Sequence, residues 1–222
     1  MNLKDLISSF RVDADDKVEP YFWTDEDVTR WLNEAVAEAA IRGRLIHESS
    51  NAVMCCIAVI AGQSVYPIHS AMIELDYVAF MPTGVNHGNP IYLTSQENLN
   101  EVMPRWRTET GDPRFAIQSD KTLRLAPTPV RTGVIALEGY RLPKSDMADP
   151  EDSPEINAAH HRHLVQWALA RAFKVPDTEV FDPNRAAIAE SEFTKYFGER
   201  PDADLRRQTR EDFPHHVLPF WP

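Results

Sequence analysis

The chain has 222 residues, 43% of them hydrophobic, and carries 23 Lys and Arg against 34 Asp and Glu, a formal net charge of −11. This length and apolar content suit an ordinary core with a smaller lobe rather than a disordered chain. The acidic balance argues against a protein whose main task is to grip nucleic-acid phosphates, and the longest apolar run, Ala52–Ala61, is too short to span a bilayer.

In chain order, Met1–Asp16 offers a weak helix with Leu3, Leu6, Ile7 and Phe10 at helical spacing, followed by the acidic loop VDADDKVEP. The first ten residues lack the apolar h-region of a signal peptide, so a cytosolic setting is expected. From Trp23 the helical signal is strong. Thr24 suits an N-cap, Asp27 stands where it can return the capping-box bond, and Trp23 and Val28 are placed as a hydrophobic staple. Val28, Trp31, Leu32, Ala35, Val36 and Ala39 mark one face, and the helix is expected to run to about Arg44.

Between Asn51 and Pro143 the period becomes extended. NAVMCCIAVIAGQSVYPI reads as a strand, a turn at Gly62-Gln63 and a short strand, and MIELDYVAFMP as a β-rich run. SQENLNEVMPRW suggests a short helix capped by Ser95 and stopped by Pro104. RFAIQSDKTLRLAP has hairpin alternation about Ser119-Asp120, and TGVIALEGYRLP supplies a last strand. Cys55 and Cys56, the only cysteines, are adjacent in this region. Neighbouring strand residues face opposite ways, so they suit a reducing compartment better than a mutual disulfide.

After the acidic linker Lys144–Asp152, the stretch Ser153–Gly198 reads as a helical hairpin. Ser153 and Asp182 are candidate N-caps, each followed by a proline at the first helical position. Ile156, His160, Leu164, Trp167 and Arg171 form one stripe, with Ala168 and Ala172 beside it, and Ala186, Ala189, Phe193, Tyr196 and Phe197 form the other. The expected fold is α+β, an antiparallel three-helix body with an inserted small antiparallel β sheet or sandwich and extended termini. The corresponding divisions are residues 1–50 (arm and first body helix), 51–143 (β-rich insert), 144–200 (hairpin) and 201–222 (tail). In the tail, Phe213, Val217, Leu218, Phe220 and Trp221 lie among prolines. Such a segment is denied regular helix, yet it is too apolar to be merely solvated, and it needs a groove on its own body or on a partner.

Chemistry is scarce. His160, His161 and His163 cluster on one helix, and two ring nitrogens on one side are not a metal site without a third ligand; HExxH, GxSxG, P-loop and GxGxxG patterns are absent. No catalytic, metal or cofactor residue is therefore assigned, and the chain is not read as an enzyme. Arg105, Arg107 and Arg114 surround Trp106, a pattern that can bind single strands, but Glu109 and Asp112 dilute it. The alternatives are a DNA-binding regulator using 154–198 as a helix-turn-helix and, further off, a metal hydrolase built on the histidines. Against the first, the second helix opens NRAAIAESE rather than with a basic reading face.

The order of WTDEDVTRWLNEAVAEAAIRGRLI, WRTETGDPRF, LRLAPTPVRTGVIALEGYRLP, PEINAAHHRHLVQWALARAF and FDPNRAAIAESEFTKYFG resembles the head-to-tail adaptor (connector) proteins of tailed bacteriophages, over roughly Tyr21 to Gly198. The resemblance implies a structural collar protein of the virion, assembled in the host bacterial cytoplasm. It implies a homo-oligomeric ring, commonly a dodecamer, that joins the portal protein to tail proteins (nozzle, tube or fibre). Genomic DNA would pass through that ring without specific binding, with no membrane and no cofactor involved. On this reading Phe213, Val217, Leu218, Phe220 and Trp221, with Leu3, Leu6 and Phe10 of the arm, are the candidate docking residues towards portal or neighbour.

Overall fold

The computed structural model describes residues 1–85, 87–176 and 179–201. Its helices are α1 (Leu3–Ala14), α2 (Asp25–Gly43), α3 (Ala52–Cys55), α4 (Gln96–Val102), α5 (His161–Ala172) and α6 (Pro183–Phe197). Its strands are β1 (His47–Glu48), β2 (Cys56–Val59), β3 (Val65–Pro67), β4 (Met72–Pro82), β5 (Asn89–Pro90), β6 (Tyr92–Leu93), β7 (Thr110–Gly111), β8 (Phe115–Gln118), β9 (Thr122–Ala126), β10 (Thr128–Pro129) and β11 (Gly133–Arg141). The chain is mixed α+β and divides into two units. The helical unit takes Met1–Glu48, Ala71–Glu74 and Tyr140–Arg200; the β unit takes Ser49–Ser70 and Leu75–Gly139.

The helical unit holds four helices rather than three, because the arm is itself a full member. α1 starts in a capping box: Asn2 Oδ1 accepts from Asp5 N at 2.9 Å and Asp5 returns a bond to Asn2 N. It turns Leu3, Leu6, Phe10 and Ala14 inward, one residue per turn of its face. α2 begins at Thr24, whose Oγ1 accepts from Asp27 N at 3.1 Å. Asp27 answers through its side chain, accepting from Thr24 Oγ1 at 2.9 Å, and not through the backbone bond of a full capping box. α6 has the expected cap, with Asp182 Oδ1 accepting from Asn184 N and Arg185 N and Pro183 in the first turn. α5 packs on α1, α2 and α6.

The start of α5 differs from expectation. Ser153 and Pro154 do not begin a helix; a 3-10 turn at Ala158–His160, capped by Asn157, leads into His161. The residues that would have formed the first turn are committed elsewhere. Asp152 Oδ2 accepts from Ala148 N and Asp149 N, and Glu155 reaches back to Arg141 and to Lys144 N. His161, Leu164, Val165, Ala168 and Ala172 go inside, whereas Arg171 faces outward and pairs with Glu34 at 3.0 Å.

One apolar core fills this unit. Phe10 meets Trp23 edge-on at 5.6 Å, Trp23 meets Phe173 at 5.7 Å, and Trp167 packs on Phe193 at 5.0 Å. A buried ion cluster lies beside it. Arg141, with its side chain 5% exposed, bonds Glu48 at 3.1 Å, Glu155 at 2.9 Å and the Leu142 carbonyl at 3.0 Å. Burial of a charge is tolerated here because the guanidinium donors it presents meet acceptors.

In the β unit, β11, β4 and β5 are successive neighbours in one sheet, with β2 also antiparallel to β11. A second sheet has the order β3-β9-β8-β6. The hairpin β8–β9 is as expected, Phe115 facing Ala126 and Gln118 facing Leu123. The sheets are not purely antiparallel: β6 runs parallel to β8, and β7 to β10. The apolar run at Ala52 also opens with the helical turn α3 before becoming strand, because Asn51 caps it by accepting from Val53 N. Gly133 is required where β11 passes β4: a Cβ there would stand 2.3 Å from the Met81 carbonyl oxygen and 2.7 Å from the Phe80 ring.

Candidate functional site

Among the described residues, His160, His161 and His163 are engaged in separate contacts. His161 is the buried one; its Nε2 meets the Ile156 carbonyl at 3.0 Å and its Nδ1 the Met1 carbonyl at 2.9 Å, so it pins the start of the arm to α5. His163 stacks on Tyr196 at 3.5 Å, and His160 Nδ1 meets the Tyr196 hydroxyl at 3.2 Å. Desolvation, reinforced by Arg162 and His160, pushes the His163 imidazole below its ordinary range. Among the described residues no group of three or more His, Cys, Asp or Glu is placed to hold a metal ion. Cys55 is buried and Cys56 exposed, with no disulfide between them.

The nucleic-acid reading of Trp106 loses its platform. The ring is 2% exposed and packs with Leu99, Met103 and Ala126, its Nε1 donating to Asn100 at 3.0 Å. Arg107 and Arg124 lie over the ring at 4.3 and 4.7 Å, while Arg105 and Arg114 are exposed. The helix-turn-helix reading fails at α6. Arg185 in its first turn stacks on Phe173 at 3.9 Å and donates to the Asp13 carbonyl at 3.2 Å, which occupies the end that a reading helix would present.

The expected docking residues fall into two groups. Leu3, Leu6 and Phe10 are at most 3% exposed and belong to the core of their own helical unit. Phe213, Val217, Leu218, Phe220 and Trp221 lie outside the described residues.

What sequence reading missed is a groove on the helical unit, about 1060 Å³ in volume, bounded by α1, α2 and the linker 146–151. Its apolar lining includes Ile7, Ala37, Met147 and Pro150; Glu26, Asp146 and Glu151 stand among its acidic lining residues, with Lys4 and Arg30 as its cations. Asn33 fixes the linker against α2, donating to the Met147 carbonyl at 3.0 Å and accepting from Met147 N at 2.9 Å. Asp152 and Pro150 carbonyls take the Leu3 and Lys4 amides of α1 at 2.7 and 3.1 Å. The acidic linker, exposed apart from Met147, is thus one wall of a cleft. Its only sequence signal was the pairing of Met147 and Pro150 with acidic neighbours, which is too common to read.

The helical unit thus combines capped helices, histidines used in packing and an open cleft. The profile of the SU10 adaptor protein matches residues 1–216, and the chain belongs to that family of phage head-to-tail adaptors. Comparison with curated proteins gives no match. Membership makes the chain a structural component of a virion that meets other capsid or tail components. Among the described residues no helix is long and apolar enough to cross a membrane.

Proposed function

We propose that the chain forms a closed ring, dodecameric in the commonest arrangement, that joins the portal to the tail and frames the channel through which DNA leaves. The family match over residues 1–216 carries this reading. A head-to-tail ring needs the same surface pair on every subunit and a rotation that closes, and a rigid helical unit with a single continuous core suits that demand. The net charge of −11 supports passage of DNA without capture, since phosphates are repelled. The tail residues Phe213, Val217, Leu218, Phe220 and Trp221 supply the docking contacts to portal or neighbour. Leu3, Leu6 and Phe10 act indirectly, by holding the arm in place.

Mass photometry of the chain with purified portal protein tests this. The expected species is a portal carrying a full ring of adaptor subunits. A chain that stays monomeric and unbound at micromolar concentrations of both proteins overturns the reading.

A further inference from the structure

We infer that one end of the helical unit, where the α1–α2 loop meets the α5–α6 loop, docks a partner protein of the virion. The partner surface it selects is apolar and rimmed with Lys or Arg. This rests on the family's meeting of other virion components, and adds the surface and its chemistry. Val18, Tyr21 and Phe22 of the first loop and Phe181 of the second are each at least 40% exposed. The loops adjoin where Trp23 packs edge-on against Phe173 at 5.7 Å, and the Phe173 carbonyl accepts from Asp182 N at 3.1 Å. An exposed apolar residue standing alone is ordinary; four on two adjoining loops are a patch of the kind that marks an interaction site.

Buried charge holds these side chains outward. Arg11 bonds Asp16 and, at 2.6 Å, Asp25, and its guanidinium lies 4.0 Å from the centre of the Tyr21 ring. Asp16, equally buried, accepts from Phe22 N at 3.1 Å. In the second loop Val180 packs on the core while Phe181 points away from it. A buried ion pair adds little net stability. What this one does is fix Tyr21 and Phe22 in place, so that they lose little freedom when a partner covers them.

Charge selects the partner. Residues 11–27 and 173–185 hold ten carboxylates against Arg11, Lys17, Lys174 and Arg185. Arg30 and Arg162, reaching in to Asp27 and Asp13, do not balance them. Glu19, Glu26 and Glu179 are exposed at this end. A second copy presenting the same end would bring like charges together, which disfavours a self-paired contact. An apolar surface set among Lys and Arg gains both burial and attraction.

Interferometry on the full-length chain tests this, with purified portal protein as one probe and a purified tail protein of the same virion as the other. Phe22→Ser combined with Phe181→Ser should weaken binding to one of the two by about tenfold or more. Its circular dichroism spectrum and its oligomeric state by mass photometry should match the parent's. Raising NaCl from about 50 to about 300 mM should weaken the parent's binding to that probe about fivefold, and Glu19→Lys with Glu26→Lys should remove most of this dependence. Parent-like binding of the Phe22→Ser, Phe181→Ser chain to both probes overturns the inference and leaves the ring standing. Salt-insensitive binding overturns it too. Loss of oligomers with both affinities intact overturns it and assigns the patch to a second copy. A parent that binds neither probe overturns it together with the proposed joining of portal to tail.

Discussion

The helical unit and the β unit are held together differently. In the helical unit side chains from four helices converge on a single apolar core, with an aromatic ladder from Phe10 to Phe173 and a buried ion cluster at Arg141. In the β unit much of the order is carried by short strands, several of two residues, whose backbone groups find partners far along the chain. A small cluster around Trp106 packs separately beneath α4 and β8–β9. The β unit also buries Phe80, Leu123, Leu125, Ile135 and Leu137, so the difference is one of degree: both units are open to lost volume, and the second also to lost backbone approach.

The largest expected effect tests the first half of that contrast. Phe193 is fully buried between Trp167 and Phe197, and Phe193→Ala should cost about 3–5 kcal/mol, read as a fall in the urea midpoint followed by helical circular dichroism. The second half is tested by Gly133→Ala. A single added methyl would meet the Met81 backbone, and the expected loss is about 1–3 kcal/mol with strand signals weakened before helical ones. Equal loss of both signals would show that the two units unfold together and would remove the contrast.

Smaller effects sharpen it. Asp182→Ala removes the cap of α6 and should cost about 1 kcal/mol, with amide exchange rising first at Asn184 and Arg185. Glu155→Gln should give a pH-dependent loss. Hydrogen bonding from Arg141 holds the Glu155 carboxyl below the ordinary carboxylate range, against the opposing effect of burial. The folded state therefore favours the ionised form. Its contribution is fully present above the unfolded pKa of about 4.3 and is lost as pH falls through the lower folded value. The gap in melting temperature between the parent and Glu155→Gln should be constant near neutrality and narrow below pH ~4. A gap that widens in acid would place the pair's role elsewhere.

Legibility followed the same division. Thr24, Ser95 and Asp182 cap the helices they were expected to cap, because each makes a bond to an amide two or three residues on, and nothing distant is needed. The β8–β9 hairpin was legible for a similar reason, since a short turn at residues 119–121 joins alternating strands. Where a residue had a distant competitor, local reading failed. Ser153-Pro154 has the form of a helix start, but Glu155 is drawn to Arg141 and the helix waits until His161. Leu3, Leu6 and Phe10 of the arm were docking candidates, and all three are buried in the core of their own unit. The parallel pairs β6–β8 and β7–β10 could not be read at all, because each joins segments with other elements between them.

By itself the sequence determined the caps of α2, α4 and α6, the amphipathic face of α2 and that of α6 apart from the exposed Tyr196, the hairpin, the absence of familiar catalytic motifs and the resemblance to phage adaptors. These depend on period and on bonds within one turn of chain. Tertiary structure alone decided that His161 is buried against Ile156 and Met1 while His160 and His163 pack on Tyr196, that Trp106 is core, and that the acidic linker is a groove wall. Each of those outcomes turns on which distant group reaches a polar atom or apolar face first, and burial makes that choice costly to leave unsatisfied.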